Sequence, residues 1–378
     1  MKKIALIGST GSIGVQTLNV IRRYPDQFKV VSLAAGQNSD LFSEQVKEFR
    51  PKVASIAKAF DAIKDLQKIS EIFVGENAFT QAIVEDADLV VISLVGFTGI
   101  IAVLAAIEKG KDIALANKES LVVGGDIVIK KAREKGLKIL PIDSEHSAIW
   151  QALNFDFNAP FRRIILTASG GAFRDKTAEE LKTVTAADAL KHPNWAMGAK
   201  ITVDCATLVN KAFEVIEAKW LYSAPFDKID VIIHRESIIH SLVEYNDGSV
   251  IAQMGYPTME LPIQIAIGYP ERFAPVTESL NFAKLGKLTF SEPDYDRFPS
   301  FREVVAAGKK GGAYPAVANG ANDAAVKLFL ENKIGFNDIY GAISGALNAY
   351  KGEYRGDFES LKAANDFAAR YVKDRFGE

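Results

Sequence analysis

Three stretches of this 378-residue sequence carry side chains whose types and spacing could do chemistry. In "PIDSEHSAIW", Pro141 to Trp150, two carboxylates, Asp143 and Glu145, stand on either side of Ser144. If the chain is extended there, residues i and i+2 project from one face, so both carboxylates point at one spot. Like charges that close repel unless a proton or a cation lies between them. In "CATLVNKAFEVIEAKWL", Cys205 to Leu221, a helical period places Asn210 and Glu214 four apart and Lys211 and Glu214 three apart. An amide, an ammonium and a carboxylate then share one surface. Asp143, Glu145 and Glu214 are three carboxylates with no histidine or cysteine among them, an oxygen-rich set that suits a hard ion such as Mg2+ or Mn2+. Plainer readings stand beside these. Asp143 or Ser144 serves equally as the N-cap of a helix running into "HSAIWQAL", and Lys211 with Glu214 serves as an ordinary intrahelical ion pair on a solvated face.

The third stretch, "GSTGSIG", follows the first apolar run and spaces Gly8, Gly11 and Gly14 as G-x-x-G-x-x-G at a helix start. Glycines there let the backbone approach a pyrophosphate, and free amides at the helix N-terminus attract its charge. The second apolar run ends "AAGQNSD". It offers Gly36, Gln37 and Asn38 before any acid, where NAD sites usually place a carboxylate for the ribose, which leans to NADP. Two loops complete the inventory. "LTASGGAFRD" ends an apolar strand in Ser169, Gly170 and Gly171, a hydroxyl and amides fit to hold an anion. "KHPNWAMGAK" carries His192 and Trp195 in an aperiodic segment that reads as a lid, although a lone His-Pro is usually a turn.

These residues need a scaffold, and composition bounds it. A chain longer than the ~250 to 300 residues at which single cores stop growing should form two or three domains. With 48% hydrophobic and 24% charged residues and a net charge of -2, it reads as an ordinary globular protein with no general attraction to nucleic acid or anionic membrane. Its one cysteine, Cys205, cannot form an internal disulfide, which suits a reducing cytoplasm. The opening apolar run, broken by Gly8, is too short for a signal peptide or a membrane span. Strands are expected at 4–8, 30–36, 53–56, 71–75, 89–96, 112–117 and 138–143, with amphipathic helices such as 13–23 and 99–109 between them. Uninterrupted apolar strands joined by helices predict a parallel, doubly wound (Rossmann-like) sheet covered on both faces. Asp143 would lie at the carboxyl end of its last strand, where ligands of such sheets bind. Further on, "RRIILTAS", "DVIIHRES" and a hairpin turning at "YNDGS" predict a smaller α+β domain, and "GANDAAVKLFLENKIG" and "DFESLKAANDFAARYVKDRF" a helical end. The expected division is a dinucleotide domain at 1–143, a catalytic domain at 144–268, a linker at 269–294 and a helical domain at 295–378.

"GSTGSIG", "LANKES" (115–120), "DSEHSAI" (143–149), "SGG" (169–171), "HPNWAMG" (192–198), "NK" (210–211) with Glu214, and "MELPIQIA" (259–266) occur in the order and spacing of the 1-deoxy-D-xylulose 5-phosphate reductoisomerases. The sequence resembles that family along essentially its whole length. The resemblance implies a homodimeric enzyme of non-mevalonate isoprenoid biosynthesis. It would isomerise 1-deoxy-D-xylulose 5-phosphate and reduce the product with NADPH to 2-C-methyl-D-erythritol 4-phosphate. It implies a divalent metal (Mg2+, Mn2+ or Co2+) on Asp143, Glu145 and Glu214. Substrate contacts would come from Lys118, Ser144, Glu145, Ser169, His192, Trp195, Cys205, Asn210, Lys211 and Glu214, with Lys118 and the three carboxylates catalytic. Cofactor contacts would come from Thr10, Gly11, Ser12, Ile13, Gly36, Gln37, Asn38, Asn117, Glu119 and Gly198. This chain departs from the family's pattern at Cys205, where serine is common, at Gln37, where a basic residue is frequent, and at Ala172, Ala212 and "HRES" (234–237). Two alternatives are another metal-dependent NAD(P) sugar-phosphate oxidoreductase and a catalytically silent dinucleotide-binding regulator. Against the second, a sensor needs no hard-cation site.

Overall fold

The computed structural model describes residues 1–195 and 197–377. They form two compact units, each assembled from separate stretches of chain: 1–117, 128–147 and 258–278 in unit one, and 118–127, 148–257 and 279–378 in unit two.

Unit one is built on seven parallel strands: β1 (Lys2–Ile7), β2 (Phe28–Ala35), β3 (Val53–Ile56), β4 (Glu71–Val74), β5 (Leu89–Ile92), β6 (Asp112–Leu115) and β7 (Ile139–Pro141). Their spatial order is β4-β3-β2-β1-β5-β6-β7, so the chain winds outward from β1 in one direction and then the other. The central strands are mostly apolar because both faces are covered; Ile4, Leu6 and Ile7 of β1 have no solvent exposure, and Ser32 of β2 is buried with its hydroxyl bonded to Ala82 O. All seven strands expected from the sequence are present, some ending a few residues early. The helices Ser12–Arg23 and Thr98–Glu108 fill the expected connections. A late segment returns to this unit. Its helix Glu260–Gly268 packs against the helix Ser12–Arg23, where the Gln264 amide donates to Tyr24 Oη at 2.7 Å. The rings of Tyr24, Phe28 and Phe273 cluster beside it, with centroids 5.3 to 6.3 Å apart.

Unit two holds a four-stranded sheet in the order β11-β10-β8-β9. Here β8 (Arg163–Ala168) and β9 (Ile229–Ile233) are parallel, while β10 (Ile239–Glu244) runs antiparallel to β8 and to β11 (Val250–Met254). The hairpin turns at Asp247 and Gly248, whose φ of 86° suits a glycine. The chain ends in the helices Ser300–Lys310, Tyr314–Leu330, Asp338–Ala349 and Phe358–Phe376. Tyr314–Leu330 packs along Phe358–Phe376 closely enough that a Cβ on Gly320 would lie 2.3 Å from Asn365 O. Asp357 caps the last helix by accepting Ser360 N–H at 2.7 Å.

One expected element is corrected. The string 205–221 is not one helix but the end of Ala199–Ala206 followed by Val209–Leu221. Leu208 separates them with φ 60°, and a residue in the left-handed region starts a new helix in a new direction. No described helix is long and apolar enough to cross a membrane.

Candidate functional site

In unit one the chemistry-bearing residues collect at the carboxyl ends of the parallel strands. β1 ends at Ile7 and the chain turns through Gly8, whose φ is 100° and whose added Cβ would lie 2.8 Å from Ser93 O. A Cβ on Gly14 would lie 2.2 Å from Gly8 O, so the helix Ser12–Arg23 starts pressed onto this turn. Gly11 is its N-cap and no side chain caps it; Gly11 and Ser12 are exposed, with Thr10 and Ile13 half-buried beside them. The result is an uncapped helix N-terminus that favours an anion. At the end of β2, Gly36, Gln37 and Asn38 are exposed, and Asn38 Oδ1 accepts Leu41 N–H at 3.2 Å to cap the next helix. After β6, buried Asn117 donates to Leu94 O and Gly96 O at 3.0 Å each, tying down the loop that follows β5.

The paired carboxylates sit differently from the extended geometry. β7 stops at Pro141 and the chain is helical from Ser144. Asp143 Oδ1 accepts Glu145 N–H at 3.2 Å and His146 N–H at 3.4 Å, so Asp143 is the N-cap and Glu145 lies in the first turn. The strand alternation invoked for this pair therefore does not apply, because the first-turn amides of the new helix, which have no intrahelical acceptor, bond to the Asp143 oxygen instead. Ser144 Oγ donates to Glu145 Oε2 at 2.5 Å.

In unit two Asn210, Lys211 and Glu214 do share one surface, and it is not a solvated one. Glu214 is 1% exposed, and Lys118, Asn210 and Lys211 are buried with it. Lys118 Nζ donates to Asn210 Oδ1 at 2.8 Å and to Glu214 Oε1 at 3.2 Å. Asn210 Nδ2 donates to the same Glu214 oxygen at 2.6 Å, and Lys211 Nζ donates to the other. A buried carboxylate needs such partners, since taking an unpaired charge out of water is costly.

β8 delivers Ser169, Gly170 and Gly171, the glycines at φ 84° and 71°. A Cβ on Gly171 would lie 2.4 Å from Cys205 O, so the loop rests on the backbone of Cys205. His192 Nε2 is 3.0 Å from Ser169 Oγ, while its Nδ1 accepts the Asn194 and Trp195 N–H groups at 3.2 and 3.0 Å. Burial, with the Arg174 charge adding to it, pushes the His192 imidazole down to about 4. The ring is therefore neutral, and two donors on Nδ1 place its proton on Nε2. Ser169 Oγ thus accepts from His192 and from Gly171 N–H at 3.2 Å, which leaves its own hydrogen to donate outward. Burial pushes the Cys205 thiol up to about 12, with Lys118 pulling the other way, so it stays a neutral thiol. The Trp195 ring is tilted 6.0 Å from the ring of His240, half-buried rather than loose in solvent. Gly198 is exposed as N-cap of Ala199–Ala206, and Glu119 is buried with its carboxylate 3.0 Å from Lys200 Nζ. Lys200 has no role in the sequence motifs above; its i, i+4 spacing to Asp204 is the one local sign of its pairing.

Comparison with known proteins decides the family. A model of 1-deoxy-D-xylulose 5-phosphate reductoisomerase matches residues 4–125, its C-terminal domain matches 139–222, and a further C-terminal domain matches 254–371. The chain belongs to the 1-deoxy-D-xylulose 5-phosphate reductoisomerase family. The reductoisomerase of Acaryochloris marina is 49% identical, covering 98% of this chain and 95% of its own. That of Nostoc sp. is 51% identical, covering 98% and 96%. Among solved structures, the Zymomonas mobilis reductoisomerase in complex with NADPH superposes with a TM-score of 0.91 at 40% identity, covering 99% of this chain and 98% of that one. A reductoisomerase in complex with NADPH, fosmidomycin and magnesium reaches 0.94 at 35% identity, covering 100% and 98%.

Proposed function

We infer that this chain performs the reaction of its family. It isomerises 1-deoxy-D-xylulose 5-phosphate and reduces the intermediate with NADPH to 2-C-methyl-D-erythritol 4-phosphate, a step of non-mevalonate isoprenoid biosynthesis. Full-length similarity to reductoisomerases carries this reading. The residues present fit both groups the reaction needs. Gly8 and Gly14 leave open backbone where a Cβ would collide, beside an uncapped helix N-terminus suited to the NADPH pyrophosphate. Asp143, Glu145 and Glu214 offer carboxylate oxygens alone, the donor set of Mg2+, with Mn2+ and Co2+ as alternatives. When bound, the cation supplies a Lewis acid to neighbouring ketone and hydroxyl oxygens, and the nicotinamide supplies a hydride.

The protein's own residues do the rest. Lys118, held by Asn210 and Glu214, keeps a positive charge aimed at the reacting oxygens. Ser144 and Glu145 orient the substrate from the metal side. Ser169 donates its free hydrogen to the phosphate, His192 keeps that hydroxyl turned outward, and Cys205, Asn210 and Lys211 complete the cleft. Trp195 closes over bound substrate and excludes water, so phosphate binding energy contributes to catalysis as well as to affinity. Thr10, Gly11, Ser12 and Ile13 hold the pyrophosphate. Gly36, Gln37 and Asn38 hold the adenosine end, and Asn117, Glu119 and Gly198 the nicotinamide end. We read residues 1–143 as the cofactor-binding part, 144–268 as catalytic and dimerising, 269–294 as a linker and 295–378 as a helical cover, in a cytoplasmic homodimer. The test mixes the pure protein with Mg2+, NADPH and 1-deoxy-D-xylulose 5-phosphate and follows absorbance in the nicotinamide band. Loss of absorbance that depends on the sugar phosphate is expected. None at all would leave another sugar-phosphate oxidoreductase or a silent regulator.

A further inference from the structure

Lys200 has no part in the reading above, yet it gathers charge from three elements of unit two. Its Nζ is 3.0 Å from Glu119 Oε1, 3.0 Å from Asp204 Oδ2 and 3.0 Å from Asp323 Oδ1. Glu119 Oε1 accepts a hydrogen bond from the ammonium, and Asp204 and Asp323 are held to it as ion pairs, so one cation balances three carboxylates. Glu119 opens the helix Glu119–Glu134, Asp204 lies one turn along from Lys200 on its own helix, and Asp323 projects from Tyr314–Leu330. The Glu119 and Asp204 side chains are 9% and 3% exposed, and the second Asp204 oxygen accepts Asn322 Nδ2–H at 2.8 Å. Such buried carboxylates cannot turn to solvent, so their positions follow the ammonium.

The neighbours of these carboxylates in sequence matter most. Glu119 follows Lys118, whose amine makes the hydrogen bonds to Asn210 and Glu214. Asp204 precedes Cys205, whose carbonyl supports Gly171 of the anion loop. We propose that Lys200 is a positioning residue of the reductoisomerase reaction, one ammonium that fixes the spacing between the Lys118 amine and the cleft formed by Cys205 and the Ser169–Gly171 loop. The proposal rests on the reading that Lys118 and Cys205 face the substrate. Sub-ångström placement is what a charge aimed at a transition state requires, and a shift of about 1 Å costs on the order of 100-fold in rate.

Cys205 is the sole cysteine of the chain, so its reaction with dithionitrobenzoate reads the placement of this segment with no substrate present. In Lys200→Met the thiol should react at least about tenfold faster, and kcat should fall about 100-fold while KM for 1-deoxy-D-xylulose 5-phosphate rises less than about tenfold. Lys200→Arg keeps the charge and the donors, and should restore kcat to within about tenfold of the parent. Labelling and kcat at parent values in a folded Lys200→Met protein overturn the proposal. So does an arginine variant no better than the methionine one. If Lys200→Met fails to fold, Asp204→Asn keeps an acceptor for Asn322 and weakens only the ionic link; it should move labelling and kcat in the same directions, and parent values for both overturn the proposal. A parent protein inert toward 1-deoxy-D-xylulose 5-phosphate would sink the functional reading instead, while the labelling comparison would still decide the positioning.

Discussion

Cys205 stands where the family commonly has serine, against the carbonyl-supported loop Ser169–Gly171. Burial keeps it a neutral thiol, a weaker donor than a hydroxyl and a larger atom. With Cys205 beside the phosphate, and Ser169, Asn210 and Lys211 making its other contacts as proposed, Cys205→Ser should tighten substrate binding by ~0.5 to 1.5 kcal/mol, the net worth of a typical hydrogen bond. That is roughly two- to twelvefold, read as KM at fixed metal and NADPH. A serine variant that binds distinctly more weakly would mean a pocket adapted to sulfur. At Glu145 the expectation is sharper. If Glu145 is a metal ligand as proposed, Glu145→Gln removes its anionic charge while the Gly8 to Gly14 turn keeps its own contacts, so turnover should vanish and NADPH binding, followed by fluorescence, should survive. Turnover near the parent rate with metal present would remove Glu145 from the ligand set. The residues that carry chemistry are legible in short strings because their roles depend on side-chain type. Their pairings are less so. Spacing showed that Asn210, Lys211 and Glu214 share a face, but not that Lys118 reaches the same carboxylate from 96 residues away.

Elements divide along the same line. The seven strands of unit one are legible because the inner strands, buried on both faces, are mostly apolar runs, and the short β-branched edge runs such as β4, though partly exposed, alternate with helices in the same way. The break at Leu208 is not, because its left-handed backbone contradicts leucine's own preference and is imposed by the packing of two helices. Asp143 shows a third case, in which two local readings compete and a capped helix is what forms. The loop after β8 is where element geometry and function meet most tightly. Gly171 combines φ 71° with a carbonyl 2.4 Å from where a Cβ would be. Gly171→Ala should therefore push the loop off Cys205 and carry Ser169 out of reach of its His192 partner. We expect KM for 1-deoxy-D-xylulose 5-phosphate to rise at least about tenfold, with a loss of stability on the order of 1 to 3 kcal/mol from the strained backbone. An alanine variant with the parent KM and melting temperature would show that the loop yields freely.

At the scale of the whole molecule, the interleaving of 118–127 and 258–278 with the two units leaves no mark on local pattern, since propensity and periodicity act over a few residues and this choice is made by packing. The same long-range assembly creates the acidic cluster around Lys200, and with it a pH dependence of stability. Burial raises the Asp323 carboxyl to about 6, against an ordinary value of 3.8, even though Lys200 pulls it down. Glu119 is pushed up by burial too, but Lys200 and the backbone outweigh that and leave it below its usual value. Lys200 itself loses from burial and gains more from Asp204, Glu119 and Asp323, so it stays charged. For an acid whose folded pKa is raised, the native state keeps a proton that the unfolded chain has lost between about pH 4 and 6. Asp323's contribution to stability therefore falls as pH rises through that window, and the cost of its buried charge is present in full at pH 7. Asp323→Asn removes the titration and keeps an amide oxygen toward Lys200. The melting temperature of the variant relative to the parent should thus be higher at pH 7 than at pH 4, with most of the change between the two values of this one carboxyl. Calorimetric melting of both proteins at unit steps from pH 4 to 7 measures it, and a difference that stays constant across the series would mean that Asp323 is charged throughout and that the ammonium of Lys200 outweighs its burial.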